Sequence, residues 1–156
     1  MKRLLLPLFA LVLLCTSCGN DTIFDESHSF DNDTWLRFEP EVFSVPVTNN
    51  DKPYCLTVSL RYDTSRFLDP KLPLVVDFFQ DSNELHNFTP TIRLRNRNGK
   101  LRGECIDRYC TVTDTIDRFR MYNKPGTYTY RIKQRTSKYE IGGIASIALK
   151  VEQVVK

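Results

Sequence analysis

The sequence predicts an all-β protein, a two-sheet antiparallel β-sandwich with about seven or eight strands. Three observations predict this fold class. Apolar residues recur at every second position in several separate runs, turn-forming residues stand between those runs, and no stretch carries a helical period of useful length. Because successive side chains of a strand point to opposite faces, each run offers one face to bury and one to expose to water. Two such sheets bury their apolar faces against each other, in either a jelly-roll or an immunoglobulin-like topology.

The strand-like runs begin after residue 53 and end near residue 151. The clearest is residues 54–62, in which apolar and polar side chains alternate without interruption, and the same period returns over residues 72–78, 92–94, 128–132 and 147–151. Between the runs, Asn98-Gly99 predicts a two-residue hairpin turn, since both residues tolerate positive φ. Further turns are predicted at Asp69-Pro70, Pro125-Gly126 and Gly142-Gly143.

The first 17 residues have the composition of an export signal. Lys2 and Arg3 precede an apolar stretch over residues 4–14, and two small residues stand directly before Cys18. The apolar stretch is shorter than the roughly 20 residues that a membrane-spanning helix needs. We predict a lipoprotein signal peptide over residues 1–17 that is cut before Cys18, whose thiol then carries the lipid. The alternatives are an ordinary secretory signal that is cut nearby and a short anchor that is left in place.

The charge is distributed unevenly along the chain. The formal net charge of +3 combines −6 over residues 18–41 with +7 over residues 42–156 and +2 in the export signal. The polar, acidic residues 18–34 predict a flexible tether, because they hold too little apolar surface to fold alone. The alternative is that Ile23, Phe24 and Phe30 dock on the domain as an extra edge strand. Residues 35–156 then form a single β-sandwich domain.

The remaining cysteines point to a disulfide more than to a metal. Cys105 and Cys110 enclose four residues, a spacing that a turn or hairpin can close, and an exported protein lies in an oxidising compartment. Cys55 is left over. Since no histidine lies near these cysteines in the sequence, we expect no metal site and no cofactor.

A cluster of basic residues is the most informative surface feature. Arg93, Arg95 and Arg97 share one predicted strand face, and Arg102 follows in the next segment. Such a face could bind an acidic protein, a sulfated or uronic glycan, or lipid phosphate. The alternative is an ordinary solvated face, in which the arginines lie opposite Asp114 and Asp117 across strands. Nucleic acid is not expected as a partner in this compartment.

The sequence carries no catalytic signature. Its two histidines, His28 and His86, lie in polar segments without a serine or cysteine nucleophile in a recognisable motif nearby. We therefore expect a protein that is not an enzyme.

Several short segments recur in the order of a known family. They are Trp35-Leu-Arg-Phe38, the strand over residues 56–62, Asn98-Gly-Lys-Leu101, Pro125-Gly-Thr-Tyr-Thr-Tyr-Arg-Ile132 and Gly143-Ile144. With the export signal, this order resembles the gliding-motility lipoprotein H (GldH-like) family of Bacteroidetes. The resemblance implies an envelope lipoprotein, required for surface motility in gliding species alongside a motility and secretion machinery. It brings no catalytic residues, and only Cys18 carries over residue by residue.

Two further expectations accompany this resemblance. Bacteria of this group modify exported proteins at Asp followed by Ser or Thr and a small or apolar residue, which marks Thr22 and Thr115 as candidate O-glycosylation sites. Residues 19–21 lack the charged run of surface-export signals, so we expect an outer-membrane lipoprotein that faces the periplasm.

The resulting hypothesis is a membrane-anchored envelope lipoprotein without enzymatic activity, which binds or scaffolds other components. Its expected partners are the lipid bilayer, through acylated Cys18, and an envelope protein. The alternative hypothesis is a carbohydrate-binding β-sandwich lipoprotein with a glycan as its ligand.

Overall fold

The computed structural model describes residues 21–154, which form two antiparallel sheets that pack face to face. In spatial order the first sheet contains β1 (Asp21–Ser29), β12 (Ile144–Gln153), β4 (Tyr54–Asp63), β9 (Tyr109–Arg120) and β8 (Glu104–Ile106). The second contains β3 (Glu41–Val47), β10 (Gly126–Gln134), β5 (Lys71–Gln80) and β6 (Asn83–Phe88), with β7 (Thr91–Arg93) also paired to β5. A 3₁₀ turn (Asp31–Asp33) and a small ribbon of β2 (Thr34–Leu36) and β11 (Glu140–Gly142) complete the described chain.

The predicted β-sandwich is confirmed, although its strands are more numerous than expected. Residues 21–154 contain twelve strands, whereas the alternation predicted about seven or eight. The additional ones include the three-residue strands β2, β8 and β11, which are too short to show a period. Within the described residues, no helix has the length and apolarity to cross a lipid bilayer.

The core follows the period-two alternation closely. In β4, Leu56, Val58 and Leu60 are fully buried, while the residues between them lie on the outer face of the first sheet. Facing strands contribute Val76 of β5 and Tyr130 of β10, so both sheets share one apolar cluster. The outer face therefore remains polar and available for contacts with other molecules.

The predicted flexible tether over residues 18–34 is wrong for residues 21–34. Residues 21–29 form β1, which pairs with β12 from Asp21↔Gln153 to Ser29↔Ser146. The Phe24 ring packs edge-on against Phe43, with 6.3 Å between the ring centroids. An acidic composition does not prevent this docking, because the free edge of β12 supplies the hydrogen bonds and the apolar residues face the core. The alternative expectation of an extra edge strand is thus the correct one.

The export signal and Cys18 lie outside the described residues. The first described residue, Asp21, is also the first residue of β1. The described fold therefore includes residues 21–34, which the predicted domain boundary at residue 35 leaves out.

The two ends of the sandwich can be named after the ends of β4. Asp21, Gln153, Tyr54 and Arg120 form one row of paired residues across four strands, and we call this the Tyr54 end. At the other end Asp63 pairs with Tyr109, and we call this the Asp63 end. Since a strand rises about 3.3 Å per residue, the ten residues of β4 separate the two ends by about 30 Å.

A buried carboxylate organises the Asp63 end. Asp63 accepts hydrogen bonds from the Ser65 hydroxyl at 2.6 Å and the Ser65 backbone N–H at 2.9 Å. Its second oxygen lies 3.2 Å from Nε of Arg108. The hydrogen bonds from Ser65, with the charge of Arg108, lower the pKa of Asp63 although burial opposes this. The fully buried carboxylate therefore stays ionised and fixes the turn that leaves β4.

Candidate anion-binding groove

A basic groove lies where β7 and the loop after it pass beside β9. Its volume is about 740 Å³, and its walls come from the start of β5, from residues 91–102 and from the middle of β9. Six cationic side chains line it, namely Lys71, Arg93, Arg95, Arg97, Arg102 and Arg118. The other polar lining residues are Thr91, Asn96, Thr113, Asp114 and Thr115.

Strand alternation places the first two arginines of the groove. Arg93 ends β7, and Arg95 makes an isolated bridge to Leu101. The fully buried Leu94 lies between them, so the two guanidinium groups project away from the core on the same side. Arg97 lies in the turn that follows and also lines the groove, so three of the predicted arginines do come together.

The turn after Arg95 differs from the predicted two-residue hairpin. The side-chain oxygen of Asn96 accepts hydrogen bonds from the backbone N–H groups of Asn98 and Lys100, both at 2.9 Å. The Gly99 N–H donates to the Asn96 carbonyl at 3.0 Å. Within the Asn98-Gly99 pair only Gly99 takes a positive φ, of 77°. The loop is therefore one residue longer than expected, because Asn96 supplies the side-chain acceptor that closes a wider turn.

Arg102 holds the groove together instead of presenting a free charge. Its Nη2 donates to Oδ1 of Asp114 at 2.6 Å, and its Nη1 donates to Oδ2 at 3.0 Å. Nη1 also donates to the carbonyl of Arg93 at 2.6 Å, and the Arg93 N–H donates to Oδ2 of Asp114 at 3.1 Å. The hydrogen bond with Asp114 raises the pKa of Arg102. The Asp114 carboxylate thus joins β7, the loop after β7 and β9 in one hydrogen-bond network.

The other cations of the groove have no carboxylate partner. Within residues 21–154, no Asp or Glu lies within 4.0 Å of the charged nitrogens of Lys71, Arg93, Arg95, Arg97 or Arg118. Asp114 is the one acid among the lining residues, so the walls carry an excess of five positive charges. Such a concentration of one sign in a concave surface attracts anions.

The sequence analysis missed Lys71, and it named Asp114 as an acid opposite the arginines. Lys71 reaches the groove because β5 pairs with β7, which places Lys71 directly opposite Arg93. Nothing in the spacing of residues 71 and 93 indicates that pairing. In the structure Asp114 pairs with Arg102 and Asp117 pairs with Arg120, as the alternative of an ordinary solvated face expects, but the other arginines that line the groove have no carboxylate within 4.0 Å in the described chain.

The predicted cysteine pair lies beside the groove. Cys105 and Cys110 form a disulfide across the β8–β9 hairpin, where they are directly opposite each other with 4.0 Å between their Cα atoms. Gly103 precedes β8 with a φ of 84°, and a Cβ there would collide with the Thr111 carbonyl. The hairpin therefore needs glycine at residue 103. Cys55, on β4, is not in a disulfide.

The two candidate glycosylation sites lie far apart in the first sheet, Thr22 on the edge strand β1 and Thr115 on β9, beside the short edge strand β8. Thr115 is exposed in the middle of β9 and lines the groove. Thr22 is exposed on β1, and its hydroxyl donates to Oε1 of Glu152 at 3.3 Å. Both hydroxyls can be reached from solvent, and only Thr115 would bring a modification into the groove.

The histidines lie away from the groove. His28 on β1 lies between two carboxylates, with Nδ1 2.7 Å from Glu41 and Nε2 3.0 Å from Glu26. His86 is exposed on β6 and stacks near Phe88. In the part of the chain that the structure describes, no three His, Cys, Asp or Glu side chains converge as metal ligands would.

A family model matches most of the described chain. The family model described as GldH lipoprotein matches residues 22–151, from the second residue of β1 into β12, so the match includes both sheets and the groove. No curated protein and no solved structure matches the sequence.

Proposed function

The chain belongs to the GldH lipoprotein family, and from this premise we propose that it is a lipid-anchored binding protein of the outer membrane. Membership places it in the bacterial cell envelope. The lipid is carried by Cys18, the domain faces the periplasm, and the protein acts without enzymatic activity as a binding or scaffolding component beside the envelope machinery of motility and secretion. The expected resemblance to this family is confirmed.

The observation that carries the binding function is the uncompensated charge of the groove. Its walls combine six cations with one carboxylate, and that carboxylate is fully engaged by Arg102 and the Arg93 backbone. Guanidinium groups recognise carboxylate and phosphate through paired N–H donors, so the groove supports an anionic ligand. We assign this ligand to an acidic segment of an envelope protein.

Two double variants of equal charge test this assignment. Arg93→Ser with Arg97→Ser removes two groove cations, and Arg131→Ser with Arg135→Ser removes two exposed cations outside the groove. Binding of a fluorescent polyglutamate peptide, measured by anisotropy at low salt, should weaken only in the groove variant. Added salt should weaken binding by the wild type, because screening is substantial beyond about 10 Å at 0.1 M. Equal loss in both double variants would show that net charge alone drives binding.

The second candidate function is binding of an acidic glycan. The groove adds the hydroxyls of Thr91, Thr113 and Thr115 to its cations, which suits a uronic or sulfated sugar. Among the lining residues of the described chain there is no aromatic ring, so a neutral sugar would lack a stacking platform. A glycan array distinguishes the two candidates: selective retention of uronic or sulfated sugars that is lost in Arg95→Ser would favour the glycan.

O-glycosylation at Thr22 and Thr115 belongs to the same proposal. A sugar on Thr115 would occupy part of the groove and compete with the anionic ligand. Peptide mass spectrometry of the protein purified from its native envelope should show added hexose mass on both threonines. Unmodified peptides at both positions would remove this part of the proposal and leave the groove unaffected.

A further inference from the structure

We propose that the Tyr54 end of the sandwich rests on the lipid bilayer, with the side chains of Phe119 and Met121 inserted at the membrane interface. The inference rests on the proposed lipidation of Cys18 and adds to it an orientation and a second contact with the membrane. The occupant of this surface is the same bilayer that holds the lipid anchor.

The first argument is the length of chain between the anchor and the fold. Only Gly19 and Asn20 separate Cys18 from Asp21, the first residue of β1. Three residue steps reach at most about 10 Å even when fully extended. Because Asp21 lies at the Tyr54 end and β1 runs away from it, the anchored lipid must lie close to this end. The Asp63 end lies about 30 Å further from the membrane.

The second argument is the position of two exposed apolar side chains. Phe119 is 71% exposed and Met121 is 52% exposed. They flank Arg120, which shares the row of paired residues with Asp21, three strand spacings or about 14 Å away. Exposed aromatic and apolar residues of this kind partition into the interface of a bilayer when they are held beside it.

The third argument is that these side chains are held outward. Arg120 and Tyr122, which alternate with them, turn into the domain. The Arg120 guanidinium lies 5.0 Å from the ring centroid of Phe78 and pairs with Asp117. Tyr122 is 3% exposed, and its hydroxyl lies 2.8 Å from that of Tyr130. Since the inward residues are fixed, Phe119 and Met121 cannot fold back onto the core.

Charge does not account for a membrane contact at this end. Lys52 and Lys124 are exposed there, but Asp51 and Asp81 are exposed beside them, and Lys124 pairs with Asp81 at 3.0 Å. Arg118, two residues before Arg120 and unpaired within the described chain, is likewise balanced by the exposed Asp21, so the surface is close to neutral. Insertion of apolar side chains, together with the acyl chains on Cys18, is the contact that this end offers.

The Asp63 end provides a matched control for the experiment. Phe38 is 72% exposed, almost the same as Phe119, and packs 5.9 Å from the Tyr139 ring on the ribbon side of the molecule. The single tryptophan, Trp35, is fully buried and supplies a constant background of emission. Phe119→Trp and Phe38→Trp therefore place equivalent reporters at the two ends.

The test uses the full-length lipidated protein in vesicles of phosphatidylethanolamine and phosphatidylglycerol, with and without brominated acyl chains. Bromine quenches tryptophan only at short range. We expect brominated vesicles to lower the emission of Phe119→Trp, and to leave Phe38→Trp and the wild type unchanged. Equal quenching of both variants, or stronger quenching of Phe38→Trp, would overturn the orientation. So would unquenched Phe119→Trp in protein that floats with the vesicles.

A second variant separates this inference from the proposed anchor. Cys18→Ala should release the protein from vesicles in a flotation gradient. Full retention of Cys18→Ala would contradict the lipid anchor and leave the quenching result to be explained by the apolar surface alone. Release of Cys18→Ala combined with unquenched lipidated Phe119→Trp would support the anchor and contradict the orientation.

Discussion

Replacing Asp114 by asparagine separates the stability of the groove from its charge. Asp114 accepts three hydrogen bonds, two from Arg102 and one from the Arg93 backbone. Asparagine keeps the size of the side chain and removes its negative charge. One oxygen becomes an amide that cannot accept, so at least one bond to Arg102 is lost. The variant therefore weakens the network that joins β7 to β9 and raises the excess charge of the groove from five to six.

The two effects have opposite signs and calculable sizes. Hydrogen bonds to charged groups contribute about 1.5–3 kcal/mol. The side chains of Arg102 and Asp114 are 34% and 20% exposed, so solvent screening reduces that value. We expect the free energy of unfolding to fall by about 1–2 kcal/mol, which lowers the Tm by roughly 3–8 °C. Removing the Asp114 charge, and with it the repulsion of a bound anion, gains about 0.5–1 kcal/mol of binding free energy, a two- to fivefold rise in affinity.

Thermal unfolding and anisotropy of labelled polyglutamate at low salt measure both quantities on the same preparation. Asp117→Asn is the matched control, because it removes an equal charge from β9 but Asp117 pairs with Arg120 and does not line the groove. The reasoning would be refuted if Asp114→Asn lost affinity in proportion to its lost stability. It would also be refuted if Asp117→Asn gained as much affinity as Asp114→Asn.

Two further predictions concern stability. Replacing both Cys105 and Cys110 by alanine should lower the free energy of unfolding by roughly 2 kcal/mol, the chain-entropy value for so short a loop. Urea unfolding should then show a lower midpoint at unchanged slope. An unchanged midpoint would contradict this prediction. Partial burial would lower the pKa of His28, but hydrogen bonds and charge from Glu26 and Glu41 raise it above its ordinary value of 6.5. The stabilisation by His28 should therefore be complete below pH 6.5 and be lost as the pH rises through the raised pKa. In His28→Gln, the free energy of unfolding should change less with pH over this range. An equally steep pH dependence in that variant would disprove the assignment.

The sequence predicted β4 and several other strands that bury one face, but it missed β3, which buries Phe43, Val45 and Val47. Tyr54 to Tyr62 alternates without interruption, and these residues form β4 in the centre of the first sheet. In β1 the apolar residues are spaced unevenly among acidic ones, so the segment shows no clear period of two. Its acidic composition predicts a tether, although the segment forms a strand. Its pairing with β12 joins residues more than 100 positions apart, and no local signal reports such a contact.

The sequence predicts several of the arginines that line the groove, but it does not predict the strand pairing that brings the walls of the groove together. Arg93 and Arg95 were placed together correctly, because one buried residue between two exposed ones is a local property of a strand. The contributions of Lys71 and Arg118 depend on which strands become neighbours. The engagement of Arg102 by Asp114 depends on how the loop after β7 lies against β9, which a linear pattern does not contain.

The place of β12 in the first sheet has a consequence for export. This last described strand lies between β1 and β4, so it supplies hydrogen bonds to the earliest strand and to a central one. In a chain exported to the periplasm as proposed, neither pairing can form until residues 144–153 have crossed the inner membrane. Because such long-range pairing is slow, we expect the translocating chain to stay open and dependent on periplasmic chaperones until its carboxyl-terminal segment emerges.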